Sequence, residues 1–420
     1  MAASRRGAGR RPVGARAPSA AAYAAAPSSA GTAVATTARP SAAGADRGAG
    51  TVGTPVRQRR SDQGAHLVTE HPDGPHPPLR LDLAVPGGPS EVGVAAEVAE
   101  RRGLDRLMAA ETAHSPFLTL VRAAERTRSV ELATGVAIAF ARTPMSLAYE
   151  AWGLHEMSGG RAVIGLGSQI KPHVVRRYGM PWDRPAARMR EYVRAVRAIW
   201  HSWQTGERLA FRGDFYSHTL MTPAFSPGPL AAGPPPILLA GVGPRMTSAA
   251  GAVADGFIGH PFTSPGHLAG EVLPRVRAAR ATAEAAGEPW TRRPFEVVGS
   301  VLVATGRTAE ERAAQRAGVR ARLAFYASTP AYRTVVDALG LGDLQEELHR
   351  LSLRGRWTDM AGLVDDEVFR VFAVDGTPEE AAREIRRRYA GLVDRICVHG
   401  PEGADPSPLA DVLTALRTLR

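Results

Sequence analysis

Cysteine and lysine are almost missing: Cys397 and Lys171 are the single examples in 420 residues. A lone thiol rules out an internal disulfide and a structural zinc site, and it suits a reducing compartment. Its neighbours, Asp394-Arg-Ile-Cys-Val-His399, make an apolar run, so Cys397 reads as a small core residue and not as a nucleophile. No apolar stretch reaches the ~18 residues of a membrane-spanning helix. Also absent are the three-glycine dinucleotide fingerprint, the phosphate-loop lysine motif and the Gly-x-Ser-x-Gly elbow of serine hydrolases. The 12 histidines are scattered without the helical spacing that gathers ligands, so no metal is expected.

The charge is skewed as well. The formal net charge is +11, and with a single lysine nearly every basic residue is arginine. Residues 1–79 hold ten arginines against four acids, which leaves about +5 for the remaining 341 residues. The folded part is therefore only mildly basic, and the arginine excess accompanies the high Ala and Gly content that codon bias produces. Neither nucleic acid nor membrane is expected as a partner, whereas a small-molecule substrate is. Residues 1–78 are dominated by Ala, Gly, Ser, Thr, Pro and Arg, with Tyr23 the sole aromatic, so a disordered tail is expected there and an ordered domain over 79–420. Arg5-Arg6 precedes no apolar export segment, so the protein reads as cytoplasmic and the tail as the product of a mis-assigned start.

Beyond the tail, short apolar runs alternate with helical segments. Strands are expected over 81–85, 106–110, 130–140, 162–167, 237–241, 255–259, 296–304 and 392–399. Helices are expected over 90–102, 144–157, 187–203, 244–254, 266–286, 309–326, 377–389 and 408–419. Eight strand-to-helix repeats are the count of a closed (β/α)8 TIM barrel, with an open doubly wound sheet as the second choice. The alternation breaks over 204–235 and 329–369, and such insertions usually sit at the C-terminal mouth, where they shape the site.

Several strand ends carry chemistry. Ile237-Leu-Leu-Ala240-Gly241-Val242-Gly243-Pro244-Arg245 is a strand, a glycine turn and a helix start, a place where backbone amides can meet a phosphate. The turn is equally what strand-to-helix geometry alone would need. Gly167-Ser168-Gln169-Ile-Lys-Pro-His173 follows strand four with polar groups suited to a polyol or phosphate, or to a solvated loop. Glu111 and His114 close strand two, where a carboxylate and an imidazole could move a proton or merely cap a loop. His260, after strand six, reaches the same face or simply turns the chain.

Together these segments resemble the luciferase-like monooxygenase superfamily, in its coenzyme F420-dependent oxidoreductase branch. The resembling text includes Ala141-Arg-Thr-Pro-Met-Ser-Leu-Ala148, Leu154-His-Glu-Met-Ser-Gly-Gly-Arg161, Ile164-Gly-Leu-Gly-Ser-Gln169, Tyr178-Gly-Met-Pro-Trp182, Arg188-Met-Arg-Glu191 and Ala254-Asp-Gly-Phe-Ile258. The resemblance implies a (β/α)8 barrel of the bacterial-luciferase type with insertions. It implies a deazaflavin (F420), or alternatively FMN, at the C-terminal mouth, with phosphate on the turn of Ala240, Gly241, Val242 and Gly243. It further implies a cis bond at Gly135-Val136 behind the ring, Ser168, Gln169 and His173 near the ribityl-phosphate chain, and Glu111 at the ring edge. Two departures stand out: Thr112 follows Glu111 where many members have His, and Met108 stands where Trp is common. The proton role then falls to His114 or to Glu111 alone. Hydride transfer between the deazaflavin and a small organic substrate is the implied activity, with an FMN-dependent monooxygenase or a non-catalytic flavin-binding protein as alternatives and a homodimer as the implied assembly.

Overall fold

The computed structural model describes residues 77–85, 88–401 and 404–419. The expected disorder of residues 1–78 lies outside the described residues, apart from 77 and 78. The chain runs β1 (Arg80–Val85), α1 (Val92–Arg101), β2 (Arg106–Ala109), α2 (Pro116–Ala124), β3 (Glu131–Ile138), α3 (Pro144–Met157), β4 (Ala162–Gly167) and α4 (Pro185–Thr205). A short antiparallel pair, β5 (Phe211–Arg212) and β6 (Ser217–His218), precedes β7 (Ile237–Ala240), α5 (Pro244–Val253) and β8 (Gly256–Ile258). Next come α6 (Pro265–His267), α7 (Leu273–Ala285), β9 (Glu296–Thr305) and α8 (Ala309–Ser328). Four short helices follow: α9 (Arg333–Asp337), α10 (Gly342–Leu353), α11 (Trp357–Ala361) and α12 (Asp366–Phe372). The chain finishes with β10 (Ala373–Gly376), α13 (Pro378–Tyr389), β11 (Arg395–His399) and α14 (Ser407–Thr418).

Strands β1, β2, β3, β4, β7, β8, β9 and β11 pair in that order, all parallel, and β11 closes on β1 to complete a TIM barrel. All eight expected strands are present. Proline at the first helical positions and hydroxyl caps start several helices: Thr143 accepts from the Ser146 amide, and Thr308 and Thr377 form capping boxes with Glu311 and Glu380. Strand β9 outruns its neighbours. It pairs with β8 up to Val298 and with β11 up to Leu302, and β10 then runs beside it from Leu302 to Thr305. That extension roots the insertion, whose own core joins Leu302 and Ala304 to Phe262, Val319, Leu323, Val368, Phe369 and Phe372. Among the described residues no helix is long and apolar enough to cross a membrane.

Inside the barrel, Met108, Ala133, Val163, Leu238, Ile258, Val298 and Cys397 pack as one layer, bordered by Ala84, Val136 and Ala240. Cys397 is therefore the core residue its flanks predict, and burial pushes its thiol well above the usual range. Below this layer lies a charged floor. Arg395 donates to Asp82 through Nε at 2.9 Å and Nη2 at 2.7 Å, and neither side chain is exposed at all. Arg106 donates to Glu131 at 2.9 Å and Glu296 at 2.7 Å. Burial raises the Asp82 carboxyl against the pull of Arg106 and Arg395.

Arg395→Met strands the buried Asp82 carboxylate and is expected to cost about 3–5 kcal/mol in urea unfolding. The double change Asp82→Leu with Arg395→Met is expected to recover part of that loss, because no charge is then left alone.

Candidate active site at the barrel mouth

The chain leaving β2 runs alongside β3, since Ala109 pairs with Thr134. Glu111 is thereby set against the middle of β3. Its amide donates to Val136 O at 3.0 Å, and its Oε2 accepts from the Ile138 amide at 2.7 Å. Arg142, just past β3, closes a two-pronged pair on the same carboxylate at 2.8 and 2.7 Å, and Tyr178 Oη lies 3.5 Å from Oε1. Arg142 also approaches Glu150 at 3.3 Å. Burial would lower the Arg142 pKa, but its bonds to Glu111 hold it above the ordinary value, while burial lifts Glu150 and Tyr178. A carboxylate with three short bonds and one long one acts as a clamp on the β3 exit.

Between Thr134 and Ala137 the β3–β4 register shifts, and the Gly135-Val136 peptide bond in this bulge is cis. Close packing explains the glycines here. A Cβ on Gly135 would stand 2.8 Å from Met108 Cε, and one on Gly167 would stand 2.7 Å from Val136 Cγ2. Met108 thus bears directly on the bulge. His114 is turned elsewhere: its ring is exposed and lies against Gly88, whose Cβ would meet Cδ2 at 2.6 Å. No hydrogen bond joins it to Glu111 among the described residues.

Strand β7 lies beside β4 with Leu166 opposite Leu239, so the turns that follow the two strands are neighbours. Gly243 is the N-cap of α5, with φ −77° and ψ 157°, and Pro244 takes the first helical position. A Cβ on Gly243 would meet nothing within 4 Å, and among the described residues no acceptor takes the amides of Val242, Gly243 or Arg245. Gly241 is needed for another reason, since a Cβ there would stand 2.9 Å from Met246 Cγ. Across the gap, Ser168 donates to Gln169 O at 3.0 Å, and Gln169, at φ 59°, accepts from the Ile170 amide at 3.0 Å through Oε1. His173 opens a single π turn, His173–Arg177, and its Nδ1 is buried without a partner among the described residues. Burial and Arg177 push its pKa down.

Open amides at a helix N-terminus and an unpartnered imidazole are groups that could contact an anion, and glycines and alanines leave room beside them. Arg142 was missing from the sequence-based candidates. Its signal was present, because residues that end adjacent parallel strands stand side by side, and an acid after β2 next to an arginine after β3 is such a pair. On the far side of the mouth, His260 Nε2 lies 3.1 Å from Tyr332 Oη, a contact made by the insertion that no sequence spacing announces.

The sequence pattern of the luciferase-like monooxygenase family matches residues 66–395. An uncharacterized protein of Mycobacterium tuberculosis is 46% identical over 318 residues, covering 76% of this chain and 92% of the relative. A 5,10-methylenetetrahydromethanopterin reductase of Archaeoglobus fulgidus is 26% identical over 289 residues, covering 67% of this chain and 80% of the relative. In solved structures, the coenzyme F420-dependent tetrahydromethanopterin reductase of Methanopyrus kandleri superposes with a TM-score of 0.66 at 18% identity, over 81% of this chain and 98% of that one.

Glu111→Gln keeps a hydrogen-bonding side chain but breaks the ion pair with Arg142. It is expected to lower the unfolding free energy by about 1.5–3 kcal/mol with no cofactor present, measured by denaturant titration. Unchanged stability would remove the clamp from the account.

Proposed function

The chain belongs to the luciferase-like monooxygenase family, and from that premise we propose that it is a coenzyme F420-dependent oxidoreductase that moves a hydride between the deazaflavin and a small organic substrate. The observation that carries this reading is the turn of Gly241, Val242 and Gly243, where unpaired amides face open space, since a Cβ built on Gly243 would meet nothing within 4 Å. Sequence likeness to a methylenetetrahydromethanopterin reductase supports a reductase over an oxygenase.

The residues fit such a cofactor. The amides of 241–243 and the positive end of α5 would hold the phosphate, with Ser168, Gln169 and the unpartnered Nδ1 of His173 along the polyol chain. Gly135, Val136 and Ala240 would form the wall behind the ring. When bound, the deazaflavin supplies a hydride carrier that lacks the ring nitrogen used for oxygen activation. The chain's own groups orient and exclude water. Glu111, committed to Arg142 and the Ile138 amide, keeps the β3 bulge in place. With Glu111 so committed, the proton role falls to His114, whose ring is exposed and lies against Gly88. The single buried thiol supports a reducing, cytoplasmic setting, and a homodimer belongs to the same proposal.

Gly243→Val tests the cradle. Its backbone angles suit any residue and its Cβ meets nothing, so stability without cofactor is expected to change by less than about 0.5 kcal/mol. F420 affinity is expected to fall by about tenfold or more, from blocked access to the amides, as read by fluorescence titration. Turnover of reduced F420 with substrate is expected to proceed without oxygen uptake. Oxygen-dependent turnover with reduced FMN would replace the proposal with a monooxygenase.

A further inference from the structure

Three polar side chains at the mouth stand apart from the cofactor cradle: His260, Tyr332 and His399. Neighbouring strands β8, β9 and β11 bring two of them together. Arg395 and Cys397 face the lumen, so strand alternation places His399 on the same face, above Cys397. Ile258 faces the lumen too, and the Gly259 amide continues the ladder to Val298 O at 2.8 Å, which sets His260 inward. Tyr332 reaches His260 from the insertion. Its ring lies 4.7 Å from the His260 ring, 5.9 Å from Tyr326 and 6.0 Å from Phe262.

The hydrogen bonds assign the protons. The Phe262 amide donates to His260 Nδ1 at 3.0 Å, so that nitrogen carries a lone pair. A neutral imidazole then bears its proton on Nε2, and Nε2–H donates to Tyr332 Oη at 3.1 Å. Burial pushes His260 down to about 3, which keeps the ring neutral, and burial raises the Tyr332 phenol, which keeps it protonated. The Tyr332 hydroxyl therefore accepts from His260, and its own proton has no acceptor among the described residues. Beside this pair, Nε2 of His399 is buried without a partner among the described residues, and burial, with Arg322 and His260, pushes that ring down to about 3.

We propose that this corner of the mouth is a substrate subsite in which the Tyr332 hydroxyl donates a hydrogen bond to an uncharged carbonyl or hydroxyl oxygen, His260 fixes the direction of that donor, and His399 Nε2 makes the second polar contact. The rings of Tyr326, Tyr332 and Phe262 suit an apolar body behind the oxygen. A carboxylate or phosphate would meet one hydroxyl and uncharged imidazoles, too few donors to replace its water. Arg322, the nearby cation, is turned to Gly400 O at 2.7 Å. The inference takes from the proposed function only that the substrate enters the barrel mouth.

Cyclohexanone and cyclohexanecarboxylate share a ring and differ in charge, so they serve as probes with the full chain, in the presence and absence of F420. Dissociation constants from ligand-observed NMR are expected to show binding of the ketone and none of the carboxylate. Tyr332→Phe removes only the hydroxyl and is expected to weaken ketone binding by about three- to tenfold. His260→Leu is expected to match that loss, whereas His260→Gln, whose amide can donate to Oη, is expected to restore most of the affinity. Unaltered binding by Tyr332→Phe, tighter binding of the carboxylate, or no ketone binding would each overturn the subsite. F420 fluorescence reports separately on the proposed function: loss of F420 binding with Tyr332-dependent ketone binding retained would refute that reading and leave this one.

Discussion

Asp82 and Arg395 join the first and last strands of the barrel across 313 positions of sequence. Closure of a parallel barrel needs such distant partners, and loop-closure entropy opposes their meeting. Both groups lie in the dry floor of the lumen, where each would be costly alone. Arg106, Glu131 and Glu296 extend the same network to β2, β3 and β9, so five barrel strands meet there in one set of ion pairs that includes the first and last strands of the barrel. The apolar layer of Met108, Val163, Leu238, Ile258 and Val298 rests on this floor, and the mouth above inherits its geometry.

Side chains shrink toward the mouth, and the space they leave divides into two halves. On the β3, β4 and β7 side, glycines at 135, 167, 241 and 243 and the clamp of Glu111 on Arg142 line the proposed cofactor site, which ends at the start of α5. On the β8, β9 and β11 side, the overlong β9 carries the insertion, which lowers Tyr332 onto His260. One half is built of backbone amides and suits a phosphate-bearing group. The other half is built of aromatic rings and neutral imidazoles, and it suits an uncharged oxygen. A barrel that holds a hydride carrier against a reacting carbon needs both kinds of surface at once.

Much of this was legible in the sequence because lumen-and-helix burial makes parallel strands nearly continuous apolar runs, which stand out from the intervening amphipathic helices. The eight strands and the ends of α3 at Pro144 and Met157 follow from that contrast. Helix α2, nine residues between two loops, and β10, four residues with Asp375 and Gly376 in it, offer too little pattern to separate from turns. Glu111 was legible as an acid at a strand end, but its commitment to Arg142 depends on how adjacent strands align their exits. Tyr332 was not legible at all, since its contact with His260 spans 72 positions and rests on how the insertion packs. The expected tail over 1–78 lies outside the described residues but for its last two.

Titration of the purified protein with F420 and, separately, with FMN at matched salt tests the central claim most directly, with fluorescence as the readout. The account predicts tight F420 binding and weak FMN binding. Preference for FMN would contradict the hydride-transfer reading, and binding of neither would contradict the assignment of the cradle itself.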